Sequence, residues 1–76
     1  MIRYDEHAEF QIARRGIAKA WIEVAIRDPD AEEISGGRRS FLKCLAGRRS
    51  MLRVVTPMAD SEYVITAYFD RTKPCM

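Results

Sequence analysis

The spacing of apolar residues predicts a short helix at the start of the chain. Asp5 is a favourable N-cap, and the acidic side chains that follow it suit the positive end of the helix dipole. The helix is expected to run from Glu6 to about Arg15 and to end at Gly16 in a left-handed conformation. Its core stripe is expected to consist of Ala8, Ile12 and Phe10.

A second helix is predicted from about Ala18 to Arg27, ending ahead of Pro29 because the residue before proline avoids helical geometry. Its buried face is expected to hold Ile22, Ala25 and Ile26. Trp21 lies at the edge of this stripe, where it is half-buried or, if exposed, available to a dimer contact. Both helices are too short to persist alone, so each has to dock on another element.

Beyond Pro29 the apolar spacing changes to the period of a strand. The predicted strands are Ala31–Ser35, Arg39–Ala46, Ser50–Thr56 and Glu62–Phe69. The core face of the last strand is expected to carry Tyr63, Ile65, Ala67 and Phe69. The sequence leaves undecided which side of the sheet the side chains of the middle strands occupy. A two-residue turn near Gly47 puts Arg53 on the same face as Leu42, and a three-residue loop puts it on the opposite face.

These elements predict a single α+β domain over residues 1–76, with two N-terminal helices packed on a four-stranded antiparallel sheet. Asp70 to Met76 is expected to be a frayed tail, of which residues 71–76 are the flexible part. The chain has 47% hydrophobic and 32% charged residues, which is ordinary for a globular fold. No apolar run approaches the roughly 18 residues that span a bilayer, and no signal peptide is visible, so a cytoplasmic protein without a membrane partner is expected. Two cysteines are too few for a disulfide framework; Cys44 is expected to be a reduced core thiol and Cys75 to lie on the tail.

Charge is distributed unevenly although the net charge is only +2. Eight of the eleven acidic residues lie between Asp5 and Glu33, and none lies between Ile34 and Ala59. The acid-free stretch carries six basic residues: Arg38, Arg39, Lys43, Arg48, Arg49 and Arg53. Such a stretch favours an RNA-binding surface. The alternative is that these side chains keep the edges of the sheet from pairing with another chain.

The residues that carry chemistry are few. One histidine and two distant cysteines do not make a zinc site, no phosphate-binding glycine loop is present, and no asparagine exists for a Cys-His-Asn arrangement, so no metal and no cofactor are expected. His7 lies with Gln11, Arg14 and Arg15 on one polar helix face. An imidazole beside guanidinium groups is suited to RNA cleavage by the internal 2′-OH, which needs proton transfer and stabilisation of charge on the phosphate. The alternative is a histidine that packs or hydrogen-bonds against the sheet.

Three sheet residues extend this set of candidates. Thr66 and Tyr68 share a strand face, where their hydroxyls are placed to orient a phosphate or simply favour a strand. Arg53 precedes an apolar pair of valines, and an arginine so close to the core needs an anionic partner. That partner is either a protein carboxylate or a bound phosphate.

The segment His7-Ala8-x-x-Gln11-Ile12-x-x-Arg15-Gly16-Ile17 resembles the HAxxRMxxRGI opening of a small family of unknown function. Similar strings follow at Leu52-Arg53-Val54-Val55 and at Val64-Ile65-Thr66-Ala67-Tyr68, so the resemblance extends over about Tyr4 to Asp70. By fold, that family is grouped with the barnase–EndoU–colicin–RelE superfamily of metal-independent ribonucleases. This sequence departs from the pattern at Gln11, where an arginine is common.

The resemblance implies a RelE- or barnase-like fold and a toxin–antitoxin type endoribonuclease. In that reading His7 is the acid or base, Arg15 and Arg53 contact phosphate, and Tyr68 is an auxiliary catalytic group. Arg14, Thr66 and the basic stretch defined above would bind RNA, and an antitoxin protein would neutralise the activity. The alternatives are a non-catalytic RNA- or protein-binding module of the same fold, and a homodimer built through Trp21 and a sheet edge.

Overall fold

A computed structural model describes residues 1–75. Within them the chain forms two helices and six strands: β1 (Arg3–Tyr4), α1 (Glu6–Arg14), α2 (Lys19–Arg27), β2 (Ala31–Ser35), β3 (Arg38–Lys43), β4 (Ser50–Pro57), β5 (Tyr63–Val64) and β6 (Thr66–Pro74). Strands β2, β3, β4 and β6 form an antiparallel sheet in that order, and β1 pairs with β5 in parallel. The predicted arrangement of two helices and a four-stranded antiparallel sheet is therefore confirmed. No helix in this part of the chain is long and apolar enough to cross a membrane.

The ends of α1 are formed by the residues that the sequence indicates. The carboxylate of Asp5 accepts a hydrogen bond from the backbone N–H of His7 at 3.0 Å. At the other end Gly16 has a φ of 67°, and the N–H of Ile17 donates to the carbonyl of Ile12 at 2.9 Å. This is a Schellman motif, which satisfies carbonyls that the last turn of a helix leaves unpaired. It also turns the chain towards α2.

Two connections determine the register of the sheet. Gly36 and Gly37 have φ values of 58° and 76°, the geometry of a tight hairpin turn between β2 and β3. The link between β3 and β4 is longer than predicted and covers residues 44–49. It pairs Leu42 with Arg53 across the strands, so the two side chains share a face and the question left open by the sequence is answered.

The core lies between the helices and one face of the sheet. The helices contribute Ala8, Ile12, Ile22 and Ala25, all buried. The sheet contributes Phe41, Leu52, Val54 and Ala67. Trp21 packs against this core, and its ring meets that of Phe69 edge-on at 6.4 Å between centroids.

The last predicted strand is broken at Ile65, which separates β5 from β6. As a result Val64 is fully buried, whereas Tyr63 and Ile65 are only half-buried. The expected core face was therefore right for Ala67, which is buried, and for Phe69, which is half-buried but packs against the core, and wrong for Tyr63 and Ile65, which do not. The physical reason is that β5 leaves the register of the main sheet to pair with β1.

The C-terminal residues differ from the predicted tail. Strand β6 continues to Pro74, and a disulfide joins Cys44 to Cys75 with the two Cα atoms 5.5 Å apart. The backbone N–H of Cys75 also donates to the carbonyl of Arg49 at 2.7 Å. The prediction of a frayed segment from Asp70 is thus wrong as far as Cys75, and so is that of a reduced thiol at Cys44. Met76 lies outside the described residues.

Candidate functional site

The outward face of α1 forms a pocket of about 350 Å³ at the edge of the molecule. Its lining consists of His7, Phe10, Gln11, Arg14 and Arg15. At 3.6 residues per turn these side chains follow one another around the helix in the order Phe10, Arg14, His7, Gln11, Arg15. The buried positions Ala8 and Ile12 occupy another side of the same helix, which holds α1 against the sheet.

The amide of Gln11 connects the pocket to the sheet. Its oxygen accepts hydrogen bonds from the hydroxyl of Thr66 at 2.7 Å and from Nη1 of Arg15 at 3.2 Å. Its nitrogen lies 2.8 Å from Nε2 of His7. Because the oxygen already receives two donors, the amide nitrogen has to be the group that faces the imidazole.

This arrangement selects one form of the neutral imidazole. The amide nitrogen of Gln11 is a donor, so Nε2 of His7 accepts and the ring proton is on Nδ1. The ring belongs to an exposed residue. The pocket therefore contains an imidazole whose acceptor nitrogen is already hydrogen-bonded to the protein.

Arg15 anchors the end of α1 to β6, an edge strand of the sheet. Its Nη1 donates to the carbonyl of Ala67 at 2.9 Å, and its guanidinium carbon lies 5.9 Å from the centre of the Tyr68 ring. The two contacts bring Tyr68 next to the pocket. They also commit part of the hydrogen-bonding capacity of Arg15 to the protein itself.

Arg14 differs from Arg15 in this respect. It is exposed and forms no ion pair with residues 1–75. Of the two acidic side chains nearby, Glu9 is paired with Lys19 at 2.8 Å, and Glu6 lies beyond Phe10 around the helix. The pocket therefore has a positive centre, with Arg14 as the guanidinium available to an anion.

Phe10 is not in the core, contrary to the sequence-based expectation. It is 64% exposed and lines the pocket. Two residues along a helix correspond to a rotation of about 200°, which places Phe10 on the far side from both Ala8 and Ile12. Helical periodicity by itself was therefore sufficient to find this residue.

Arg53 lies on the face of the sheet opposite the core and is bound by carboxylates. Its Nε donates to Asp70 at 2.8 Å and its Nη2 to Glu33 at 3.1 Å, with the side chains of Arg53 and Asp70 each only 12% exposed. Hydrogen bonds from Thr72, and then from Arg53, lower the pKa of Asp70 to about 2. The partner that this arginine needs is thus a pair of protein carboxylates. Arg53 does not line the pocket.

The basic residues of the middle segment do not converge on the pocket either. Arg38 and Arg39 are at the start of β3, whereas Arg48 and Arg49 are in the loop that follows its end, and the strand itself is roughly 16 Å long at 3.3 Å per residue. Several are also engaged: Lys43 with Asp28 and Asp30, Arg39 with Glu32, and Arg48 over the rings of Phe69 and Trp21. Of the residues selected from the sequence, the structure brings together His7, Arg14, Arg15, Thr66 and Tyr68.

Gln11 is the pocket residue whose hydrogen bonds the sequence did not predict. From the sequence, Gln11 was only a polar neighbour of His7 that stands where the HAxxRMxxRGI pattern has an arginine. The hydrogen bond that makes it central comes from Thr66, which is 55 residues away along the chain.

Comparison of the chain with protein-family models, with curated proteins and with solved structures finds no match.

Proposed function

We propose that this protein acts on RNA through the pocket on α1. The observation that carries the proposal is the convergence of His7, Arg14 and Arg15 on one exposed concave surface. Guanidinium groups bind phosphate oxygens with charge-assisted hydrogen bonds. An imidazole beside the bound phosphate is the group that transfers protons near neutral pH.

The reaction we propose is metal-independent cleavage by the neighbouring 2′-OH. A base removes the proton of the 2′-OH, the 2′-oxygen attacks the adjacent phosphorus, the bond between phosphorus and the 5′-oxygen breaks, and the 5′-oxygen takes up a proton from solvent. The products are a 2′,3′-cyclic phosphate and a 5′-hydroxyl. In this scheme His7 moves the proton at Nε2, Arg14 and Arg15 offset the charge that develops on the phosphate, and Tyr68 lies beside Arg15 as an auxiliary hydroxyl.

One feature of the site favours a second candidate, an RNA-binding module without turnover. Nε2 of His7 accepts from Gln11, so the 2′-OH has to replace this hydrogen bond before His7 acts as a base. Gln11 is itself held by Thr66 and Arg15. A binding module needs no such exchange, because Arg14 is already exposed and forms no ion pair within residues 1–75.

The biological setting that we propose comes from the resemblance to the HAxxRMxxRGI family. It suggests a toxin of RelE- or barnase-like fold, inhibited by an antitoxin protein in the cytoplasm. The disulfide between Cys44 and Cys75 bears on the last point, because such bonds persist mainly in oxidising compartments. The disulfide of the structure therefore favours an oxidising compartment over the cytoplasm that the resemblance suggests.

The test is cleavage of a labelled RNA in EDTA by the wild type and by His7→Ala, purified identically. Cyclic-phosphate products from the wild type and none from His7→Ala would support the nuclease. Equal cleavage by both would remove His7 from the reaction. Binding without cleavage by either would select the RNA-binding module.

Binding is tested separately with Arg14→Ala and with Arg49→Ala as the matched control, since both remove an exposed arginine. On single-stranded RNA each phosphate contact contributes about 0.7 to the slope of log affinity against log salt. We expect Arg14→Ala to lower that slope by about this amount and Arg49→Ala to leave it unchanged. An unchanged slope for both variants would place RNA binding elsewhere.

A further inference from the structure

Phe10 is a large apolar residue of α1 that does not pack in the core formed by the described residues. Its side chain is 64% exposed, and the buried side chains of α1 are Ala8 and Ile12. The other large apolar side chains exposed in residues 1–75 belong to other segments of the chain: Met1, Val24, Ile34 and Met58. Phe10 is therefore a single aromatic ring in a polar surrounding.

The surroundings of this ring are basic on one side only. Arg14 is four residues further along and lies on the same helix face, where side chains at that spacing are neighbours. Glu6 is four residues earlier and flanks the ring on the other side. A ligand that joins a flat apolar group to an anion would thus place the flat group over Phe10 and the anion beside Arg14.

We infer that Phe10 stacks an unpaired nucleobase while Arg14 holds the adjacent phosphate, so that the pocket takes single-stranded RNA. This inference rests on the proposed function and adds the class of substrate. Proteins that bind single strands combine basic groups along the backbone with aromatic rings on which successive bases stack. A paired base in an A-form helix is inaccessible to such a ring.

A protein partner fits the same surface less well. Stable protein interfaces bury about 800 Å² on each partner and have an apolar centre. One phenylalanine among charged side chains does not provide such a centre. A nucleobase requires only one ring and the neighbouring cation.

The first experiment uses the wild-type protein and two labelled oligonucleotides of about 12 units, within the range of known single-strand sites. Both carry 2′-O-methyl groups, so that the proposed reaction cannot cleave them during the binding measurement. One is oligouridine and the other is an abasic ribose-phosphate chain of the same length and charge. We expect oligouridine to bind roughly 5- to 150-fold more tightly, the effect of losing one base stack. Equal affinity for both would overturn the inference and leave phosphate binding intact, whereas binding of neither at low salt would overturn the proposed function as well.

The second experiment compares Phe10→Ala with Ile34→Ala, which truncates a side chain that is 63% exposed on β2. We expect Phe10→Ala to bind oligouridine and the abasic chain equally, and Ile34→Ala to retain the preference. Phe10→Trp should retain it too, because its ring still stacks. If Phe10→Ala instead abolishes self-association and leaves oligouridine affinity unchanged, Phe10 belongs to a protein contact and the inference is wrong.

Discussion

Reduction of the disulfide between Cys44 and Cys75 is expected to destabilise the protein strongly. The bond joins the residue after β3 to the residue after β6, and it closes a loop of 31 residues. Cross-linking a chain lowers the entropy of the unfolded state by an amount that grows with the loop. For 31 residues this amounts to about 3.7 kcal/mol at 25 °C.

That value is large for so small a domain. At 0.05–0.15 kcal/mol per residue, a chain of 76 residues has a total free energy of unfolding of about 4–11 kcal/mol. Loss of the disulfide therefore removes between a third and nearly all of the stability. With a urea m-value of about 1 kcal/mol per molar, the unfolding midpoint should fall by roughly 3–4 M.

The assay is urea unfolding, followed by tryptophan fluorescence, with and without a thiol reductant. The double variant Cys44→Ser/Cys75→Ser is the control, because its midpoint should be low and should not respond to the reductant. Titration of thiols in the unfolded wild type should find none before reduction and two after it. Two free thiols in the unreduced protein, or a midpoint that reduction leaves unchanged, would refute the reasoning.

Three further predictions concern single side chains. Thr56→Val should stabilise the protein by about 1 kcal/mol in urea unfolding, because Thr56 is fully buried and its hydroxyl has no hydrogen-bond partner in residues 1–75. Thr66→Val is the matched control: it removes the donor to Gln11 and should destabilise the protein in the same assay. Gly16→Ala should cost about 1–2 kcal/mol in thermal or urea unfolding, since an alanine at a φ of 67° is strained although space is free around it; an unchanged midpoint would mean that the α1 terminus has another geometry. Asp70 contributes stability that is complete above its ordinary pKa of 3.8 and is lost as the pH falls towards its folded pKa of about 2. The difference in unfolding midpoint between wild type and Asp70→Asn should therefore be large at pH 5 and shrink towards pH 2. A difference independent of pH would contradict the assignment.

Much of the candidate site was visible in the sequence because it lies on one helix. His7, Gln11, Arg14 and Arg15 recur with helical spacing, and spacing alone places them on one face. The same rule places Phe10 on the side opposite Ala8 and Ile12, so its assignment to the core stripe did not follow from the spacing and was wrong. What the sequence did not indicate is how the amide of Gln11 is used, since this depends on Thr66 and on the edge of β6.

Arg53 illustrates the opposite case. The sequence indicated that it needs an anionic partner, and left open whether that partner is a phosphate or a carboxylate. The register of the sheet brings it within 3.1 Å of Glu33 and 2.8 Å of Asp70, which are 20 and 17 residues away. Its charge is balanced inside the protein, and this could not be read from the residues next to it.

The sequence by itself determined the features that arise from neighbouring residues: the cap at Asp5, the helix end at Gly16, the turn at Gly36-Gly37, and the order of helices and strands. Local backbone geometry and periodicity are sufficient for these. Only the tertiary structure decided the break at Ile65, the pairing of Cys44 with Cys75, and the partners of Gln11 and Arg53. Each of these depends on a contact between distant segments, and such contacts are set by how the core packs and how the strands align.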